Sequence, residues 1–256
     1  MIGSENLFIP LQLTPGVEGV YLRSLCGADE MSVENAGTQN LINLLESLIQ
    51  PGTTGNNKVD AAKIVTADRD RLLALLYISL YGSKVESTVS CKECGQKFDL
   101  DFSLNDLLKH YGPSSAHFSD NGKYELEAGI SFRLPTGEDE VVINGFSGAE
   151  AEKKLLERCL LEGNAETDNE KVQLKMAELA PVLSLNMEAV CPECSHEQQV
   201  QFDMQSFFLT KIKQEKVVLV QEVHNLASQY HWSHQEILDL PRSLRKQYAA
   251  LIEPGN

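Results

Sequence analysis

Two short phrases, "VSCKECGQKFDLDF" from Val89 and "AVCPECSHEQQVQF" from Ala189, stand one hundred residues apart and constrain this chain more than any other feature. Laid over each other at that offset, Cys91, Glu93, Cys94, Phe102 and Leu104 fall on Cys191, Glu193, Cys194, Phe202 and Met204. In the first phrase Val85, Ser87 and Val89 alternate before the cysteines, and Phe98, Leu100 and Phe102 alternate after them; Val200, Phe202 and Met204 do the same in the second. This is the pattern of strand, CxxC turn and strand. The match reads as a local structural repeat, too short for a duplicated domain.

A CxxC turn sets two sulfurs on one side of a tight bend. Two such turns facing each other supply the four thiolates of a tetrahedral zinc site, with Zn–S about 2.3 Å. The candidate ligands are therefore Cys91, Cys94, Cys191 and Cys194, holding one zinc per chain, and Gly95 and Ser195 are the small residues that let each turn close. Four thiolates leave no open coordination position, so the site reads as structural rather than catalytic. Ninety-six residues separate the pairs, where a simple ribbon has about 15–20. Loop-closure entropy grows only logarithmically, so an insertion that folds by itself is tolerated if its ends lie close together.

Other readings of the cysteines compete. A redox CxxC normally occurs once, near a βαβ pattern, and a disulfide framework belongs to small secreted domains. Six Cys in 256 residues fit a reducing cytoplasm better. His196 reads as a surface histidine, and Cys26 and Cys159 as buried apolar residues.

The rest of the chain sorts into segments by the period of its apolar residues. Residues 1–16 read as an N-terminal arm or edge strand. Residues 17–84 read as a helical region: Val20 and Leu22 form a short strand, "GADE" a turn, and Leu41, Leu44, Leu45, Leu48 and Ile49 a helix stopped at Pro51-Gly52. A core helix follows from Thr66 as N-cap to Gly82 as C-cap, and the stretch 53–63 is a polar loop. Residues 85–108 and 185–209 are the two halves of a zinc-knuckle unit, with a helix from about Ser103 to Gly112 closing the first. Between them, 109–184 is an insert: a loop over 113–122, two or three short strands in "KYELEAGISFRLPTGEDEVVI", and helices near 149–162 and 168–180, opened by the capping-box spacings Ser147/Glu150 and Thr167/Glu170. Residues 210–256 are C-terminal helices, the last capped by Ser233 with Glu236. The fold class is α+β, mostly helical, with a split CxxC/CxxC zinc-ribbon-like β unit and a small inserted β-hairpin region.

Charge and missing motifs narrow the function. Thirty-seven acidic against 22 basic residues give a formal charge of −15, with no basic patch around either knuckle, so no nucleic-acid binding is expected. The apolar run "LLALLYISLY" is far short of the roughly 20 residues a spanning helix needs, and the first 20 residues lack a basic leader region; neither membrane insertion nor secretory export is expected. No GxxxxGK[ST], GxGxxG, HExxH or GxSxG occurs, which lowers the case for an enzyme. The acidic "GEDE" at 137–140 reads as a solvated face rather than a cation site, and His231 and His234 of "HWSH" as the surroundings of a capped helix.

The C-terminal segment carries Ile237, Leu238, Leu240, Leu244, Tyr248, Leu251 and Ile252 as an apolar stripe either side of Pro241. It either packs on its own domain or anchors a partner, the latter reading taking Arg242, Arg245 and Lys246 as exposed.

Several stretches together resemble one family: "VYLRSLCGADE", "IVTADRDRLLALLYISLYGSKVESTVSCKECGQKFDLDFSLNDLL", "FRLPTGEDE", "LLERCLLEGN" and "HWSHQEILDLPRSLRKQYAALIE". They look like the T-even phage baseplate hub and hub-assembly proteins, and more closely like their zinc-knuckle relatives in phage-tail-like contractile injection systems, over about residues 17–253. The resemblance implies a non-enzymatic component or assembly factor of the baseplate, with hub and spike proteins as partners, present in the cytoplasm of the producing bacterium and either retained in the finished particle or released after assembly. It also implies Cys91, Cys94, Cys191 and Cys194 as the ligand positions. The alternative, of another class, is a nucleic-acid-associated zinc-ribbon accessory factor; its knuckles would be basic and aromatic, whereas these are neutral to acidic.

Overall fold

The computed structural model describes residues 6–51, 58–112, 121–127 and 129–252; of the expected loops, 53–57 and 113–120 lie outside them. The chain runs through β1 (Leu7–Pro10), β2 (Gly19–Leu22), α1 (Gly27–Ser32), α2 (Thr38–Leu48), β3 (Ile49–Gln50), α3 (Thr66–Tyr81), β4 (Lys84–Ser90), β5 (Lys97–Ser103) and α4 (Leu104–His110). It then repeats that order as β6 (Tyr124–Glu127), β7 (Ile130–Phe132), α5 (Gly137–Ile143), α6 (Gly148–Cys159), β8 (Leu160–Glu162), α7 (Asn169–Leu179), β9 (Ser184–Val190), β10 (Glu197–Asp203) and α8 (Met204–Tyr230). Two helices, α9 (His234–Asp239) and α10 (Arg242–Ala250), follow. The class is α+β, as the sequence implies.

The repeat is therefore not local. Each series makes a three-stranded antiparallel sheet in the order first, second, third strand, β1-β2-β3 and β6-β7-β8, and a separate hairpin, β4-β5 and β9-β10. The hairpins share one register, with Val85 opposite Phe102 and Leu185 opposite Phe202. Their ends are tied alike: Leu104 N–H donates to Ser83 O at 2.9 Å, and Met204 N–H to Leu183 O at 3.0 Å.

The first helix of each series opens on the same device. Arg23 grips Asp29 with two bonds of 2.6 and 2.7 Å, and Arg133 grips Asp139 with two of 2.6 and 2.8 Å. Each carboxylate also accepts the backbone N–H of the helix N-cap, Cys26 at 2.9 Å and Thr136 at 3.0 Å. It thus satisfies an orphan donor while an arginine neutralises it. The following helix adds a further donor, Ser47 Oγ to Asp29 at 2.8 Å and Arg158 Nε to Asp139 at 2.8 Å. A separate helix then docks on each device. Thr66 N–H donates to Pro135 O at 3.0 Å and Arg242 N–H to Leu25 O at 2.7 Å, while Arg69 reaches Glu140 and Arg245 reaches Glu30.

Several expectations need correcting. "GADE" and "GEDE" are helix starts, where a turn and a solvated face are expected, and Asp139 is 1% exposed because Arg133 and Arg158 close over it. Ser147 does stand at the N-cap of α6, but neither it nor Thr167 forms the expected box; α7 starts from Asp168, and α6 ends at Cys159 where β8 begins. Thr66 is the first residue of α3 rather than its cap, and its hydroxyl donates to Pro135 O. Ser233 and Glu236 do form their capping box, and Gly82 caps α3 at φ 87°. Cys26 is only half-buried, its sulfur 3.1 Å from Asp29 Oδ2.

The fold divides into two units: one of residues up to 10, 19–62 and 206 onward, the other of 11–18 and 63–205. In the first, Leu41, Leu44, Leu45 and Leu48 of α2 are buried, as are Leu22 and Ile237. Of the expected C-terminal stripe, Ile237 and Leu238 are buried in that unit and Leu240, Leu244, Tyr248 and Ile252 are half-buried, whereas Leu251 is 77% exposed. Arg242 and Arg245, expected to be exposed, are 5% and 1% exposed, held by Glu30, Glu215 and Glu222. In the second unit, Phe132, Leu134, Leu156, Val172 and Leu179 surround Leu13 and Val65. There Asp68 takes the N–H groups of Gln12, Leu13 and Thr14 at 3.0, 2.8 and 2.8 Å, fixing the loop between β1 and β2 on α3.

Candidate metal centre

The second unit carries both hairpins. In each CxxC turn the chain reverses through a left-handed residue, Gly95 at φ 72° and Ser195 at φ 59°. The turns close with matching bonds: Cys91 N–H to Gln96 O at 2.8 Å and Gly95 N–H to Cys91 O at 3.0 Å, then Cys191 N–H to His196 O and Ser195 N–H to Cys191 O, both 2.9 Å. Glycine adopts that φ without cost, whereas a serine is strained by it.

The four sulfurs of Cys91, Cys94, Cys191 and Cys194 all lie within 4.8 Å of one another. Two of these separations run across the hairpins, Cys91 to Cys194 at 3.6 Å and Cys94 to Cys191 at 3.7 Å. These are well beyond the roughly 2.05 Å of a disulfide. They match the edge of a tetrahedron whose centre is about 2.3 Å from each sulfur, which is about 3.8 Å. The donor set fits zinc in number, softness and shape.

Backbone donors are arranged to favour thiolates. The N–H groups of Cys94 and Glu93 point at the Cys91 sulfur and, against some desolvation, hold its thiol down at about 6. At Cys194 the His196 N–H also favours the thiolate, but desolvation and the three neighbouring sulfurs outweigh it and push that thiol up to about 12. Four sulfurs at this spacing cannot all ionise without a cation among them. Cys91 and Cys191 are buried while Cys94 and Cys194 are exposed, so a metal would meet solvent on one side only.

Other contacts among the described residues also join the hairpins, Lys92 Nζ donating to Gln199 O at 3.2 Å. Phe102 meets Phe202 edge-on at 4.9 Å, and Phe98, Ala189, Val89, Leu100 and Val200 make a small apolar cluster with the buried cysteines. Gln198 bridges the two: its Oε1 accepts Lys92 N–H at 2.8 Å and its Nε2 donates to Ser90 O at 3.2 Å. Sequence reasoning missed Gln198, whose counterpart at the hundred-residue offset is Phe98, because the asymmetry between repeats carries no motif. Asp70 takes Leu183 N–H at 2.9 Å, tying the start of β9 to α3; burial raises its carboxyl to about 6 in spite of Arg69.

The other candidate groups stay apart. Among the described residues these cysteines form the single cluster with ligand geometry; His196, His231, His234 and the acidic 137–140 run are not part of it. His196 contributes its backbone carbonyl. Cys159 is buried, and that burial pushes its thiol up to about 12, which makes it a neutral core residue as expected. No helix among the described residues is long and apolar enough to cross a membrane.

The model of a family described as T4 bacteriophage base plate protein matches residues 13–171, which include the first CxxC turn and end before the second. No curated protein and no solved structure matches the chain. With well over half of its length matched, the chain belongs to the T4 bacteriophage base plate protein family.

Proposed function

We propose that this chain is a non-enzymatic structural or assembly protein of the baseplate hub, in a contractile phage tail or a phage-tail-like injection system, with its two knuckle hairpins held by one structural zinc. Membership of the family gives it a structural or assembly role in a phage baseplate and other baseplate proteins as partners. The finer reading adds hub and spike proteins as those partners, and assembly in the cytoplasm of the producing cell.

The observation that carries the zinc reading is the cross-hairpin spacing of the four sulfurs, 3.6 and 3.7 Å. A closed set of four thiolates takes no substrate or water, which supports a stabilising role over a catalytic one. Two-stranded hairpins are marginal by themselves in water, and among the described residues this pair shares a small apolar cluster, one aromatic contact and a few hydrogen bonds. A metal would supply the folding energy that the interface lacks.

The hub reading is tested by isolating the tagged chain from its native host during particle assembly and identifying stoichiometric partners. Hub and spike proteins are the expected companions. Recovery with an RNA polymerase or with nucleic acid instead would replace this reading with the accessory-factor alternative.

A further inference from the structure

On α8 the carboxylates face away from Lys213 and Lys216, and Lys211 lies on their side, 3.9 Å from Glu215. Glu215 turns to Arg242 at 2.5 Å and Glu222 to Arg245 at 2.7 Å, both within the first unit. Phe208, Ile212, Leu219 and Leu226 form the buried face. Opposite them stand Lys213, Val217, Val220 and His224, all exposed, at the spacing that aligns side chains along one side of a helix.

This line is unusual in its apolar content. Val217 is 79% exposed and Val220 57%, one turn apart on the same side; Val218, also exposed, points about 100° round the helix. Single exposed apolar residues are ordinary, whereas a contiguous ridge of them marks a contact surface. Its cations are lysines of α8 itself. Lys213 stands in the line, and Lys216, whose ammonium donates to Met31 O at 2.9 Å, borders one side, whereas the crevice by Val218 is charge-balanced, Glu30, Glu215 and Glu222 facing Arg242, Arg245 and Lys246. On a chain of net charge −15, this local excess of lysine stands out.

We infer that the outward face of α8 docks an acidic amphipathic helix of a partner protein, with apolar side chains against Val217 and Val220 and carboxylates over Lys213 and Lys216. Charge complementarity selects this occupant. A second copy fits worse, because an isologous contact would set two lysine-rimmed faces against each other and join two chains of −15. The inference rests on α8 alone and is independent of the zinc and hub readings.

The probe is a synthetic amphipathic peptide of about four helical turns, with leucines on one face flanked by glutamates, and a counterpart with lysines in place of the glutamates. Binding to the full chain is read by fluorescence anisotropy. The acidic peptide is expected to bind at least ~10-fold more tightly than the basic one at about 0.05 M salt, with the gap closing at about 0.3 M. Val217→Glu and Val220→Glu should each weaken it at least ~10-fold at unchanged melting temperature, since both side chains are solvent-exposed, while Val190→Glu on the second knuckle should not. Equal binding of the two peptides, or full binding by Val217→Glu, would overturn the inference. So would a dimer seen by sedimentation that Val217→Glu dissolves, which would give the face to a second copy.

Discussion

Arg245 donates through Nη2 to Glu30, 215 positions earlier in the chain, and both side chains are buried. The contact turns what reads in sequence as an exposed basic helix into part of the first unit's interior. It also repeats, in that unit, what Arg69 does to Glu140 in the other, where the bonds are 2.5 and 3.2 Å.

Removing one partner of a buried pair leaves the other charge without compensation. Arg245→Ala is therefore expected to lower stability by about 3–5 kcal/mol, and Arg245→Met by less, because the methionine keeps the packing. Chemical denaturation of the three proteins checks the order. Deleting residues 231–252 should be worse still and yield aggregation, because Ile237 and Leu238 leave the core with it.

Asp139 gives the fold a pH dependence of known sign. Its desolvation is outweighed by Arg133, Thr136 N–H and Arg158, which hold the carboxyl well below the usual carboxylate range. A depressed pKa contributes stability that is present above the unfolded value, about 3.9, and is lost as pH falls through the folded one. Asp139→Asn should thus cost about 2–4 kcal/mol at neutral pH. The gap to the parent protein should stay level from about pH 5 to 8 and narrow below about pH 4. A gap that widens in acid would contradict this.

Gln198 is expected to matter more than its lack of motif suggests. Gln198→Leu leaves Lys92 N–H and Ser90 O without their partner and should cost about 1–2 kcal/mol, read as a lower thermal midpoint. Gln199→Leu, on the exposed neighbour, is the control and should change little.

The acidic surface predicts no retention of DNA or RNA at about 0.15 M salt in gel-shift assays with micromolar protein. Binding that falls steeply with added salt would instead favour the nucleic-acid reading of the knuckles.

The knuckles were legible in the sequence because a metal site needs particular residue types at a particular spacing, and nothing else in the chain has that pattern. The apolar period likewise exposed α2 and α3. The full duplication was not legible: the offset is 110 residues at Arg23 and Arg133 but 100 at the cysteines, so no single alignment carries it. Outside the hairpins the repeats also share a pair of contacts, Arg to Asp and Arg to Glu, and in the latter the fold alone brings Arg69 to Glu140 and Arg245 to Glu30. For the same reason α5 read as strand. Its "EDEVVI" has a β-branched run, and the helix is set by Asp139 capping Thr136 under Arg133. Tertiary context overrode the local preference.

The central claim is that one zinc joins the two hairpins through Cys91, Cys94, Cys191 and Cys194. Elemental analysis of the protein purified without added metal, together with zinc-edge X-ray absorption, tests it most directly. The account predicts about one zinc per chain in a shell of four sulfurs at about 2.3 Å, and loss of that zinc with a lower melting temperature in Cys91→Ser. Stoichiometric zinc retained after all four cysteines are replaced, or a shell of nitrogen and oxygen, would contradict it.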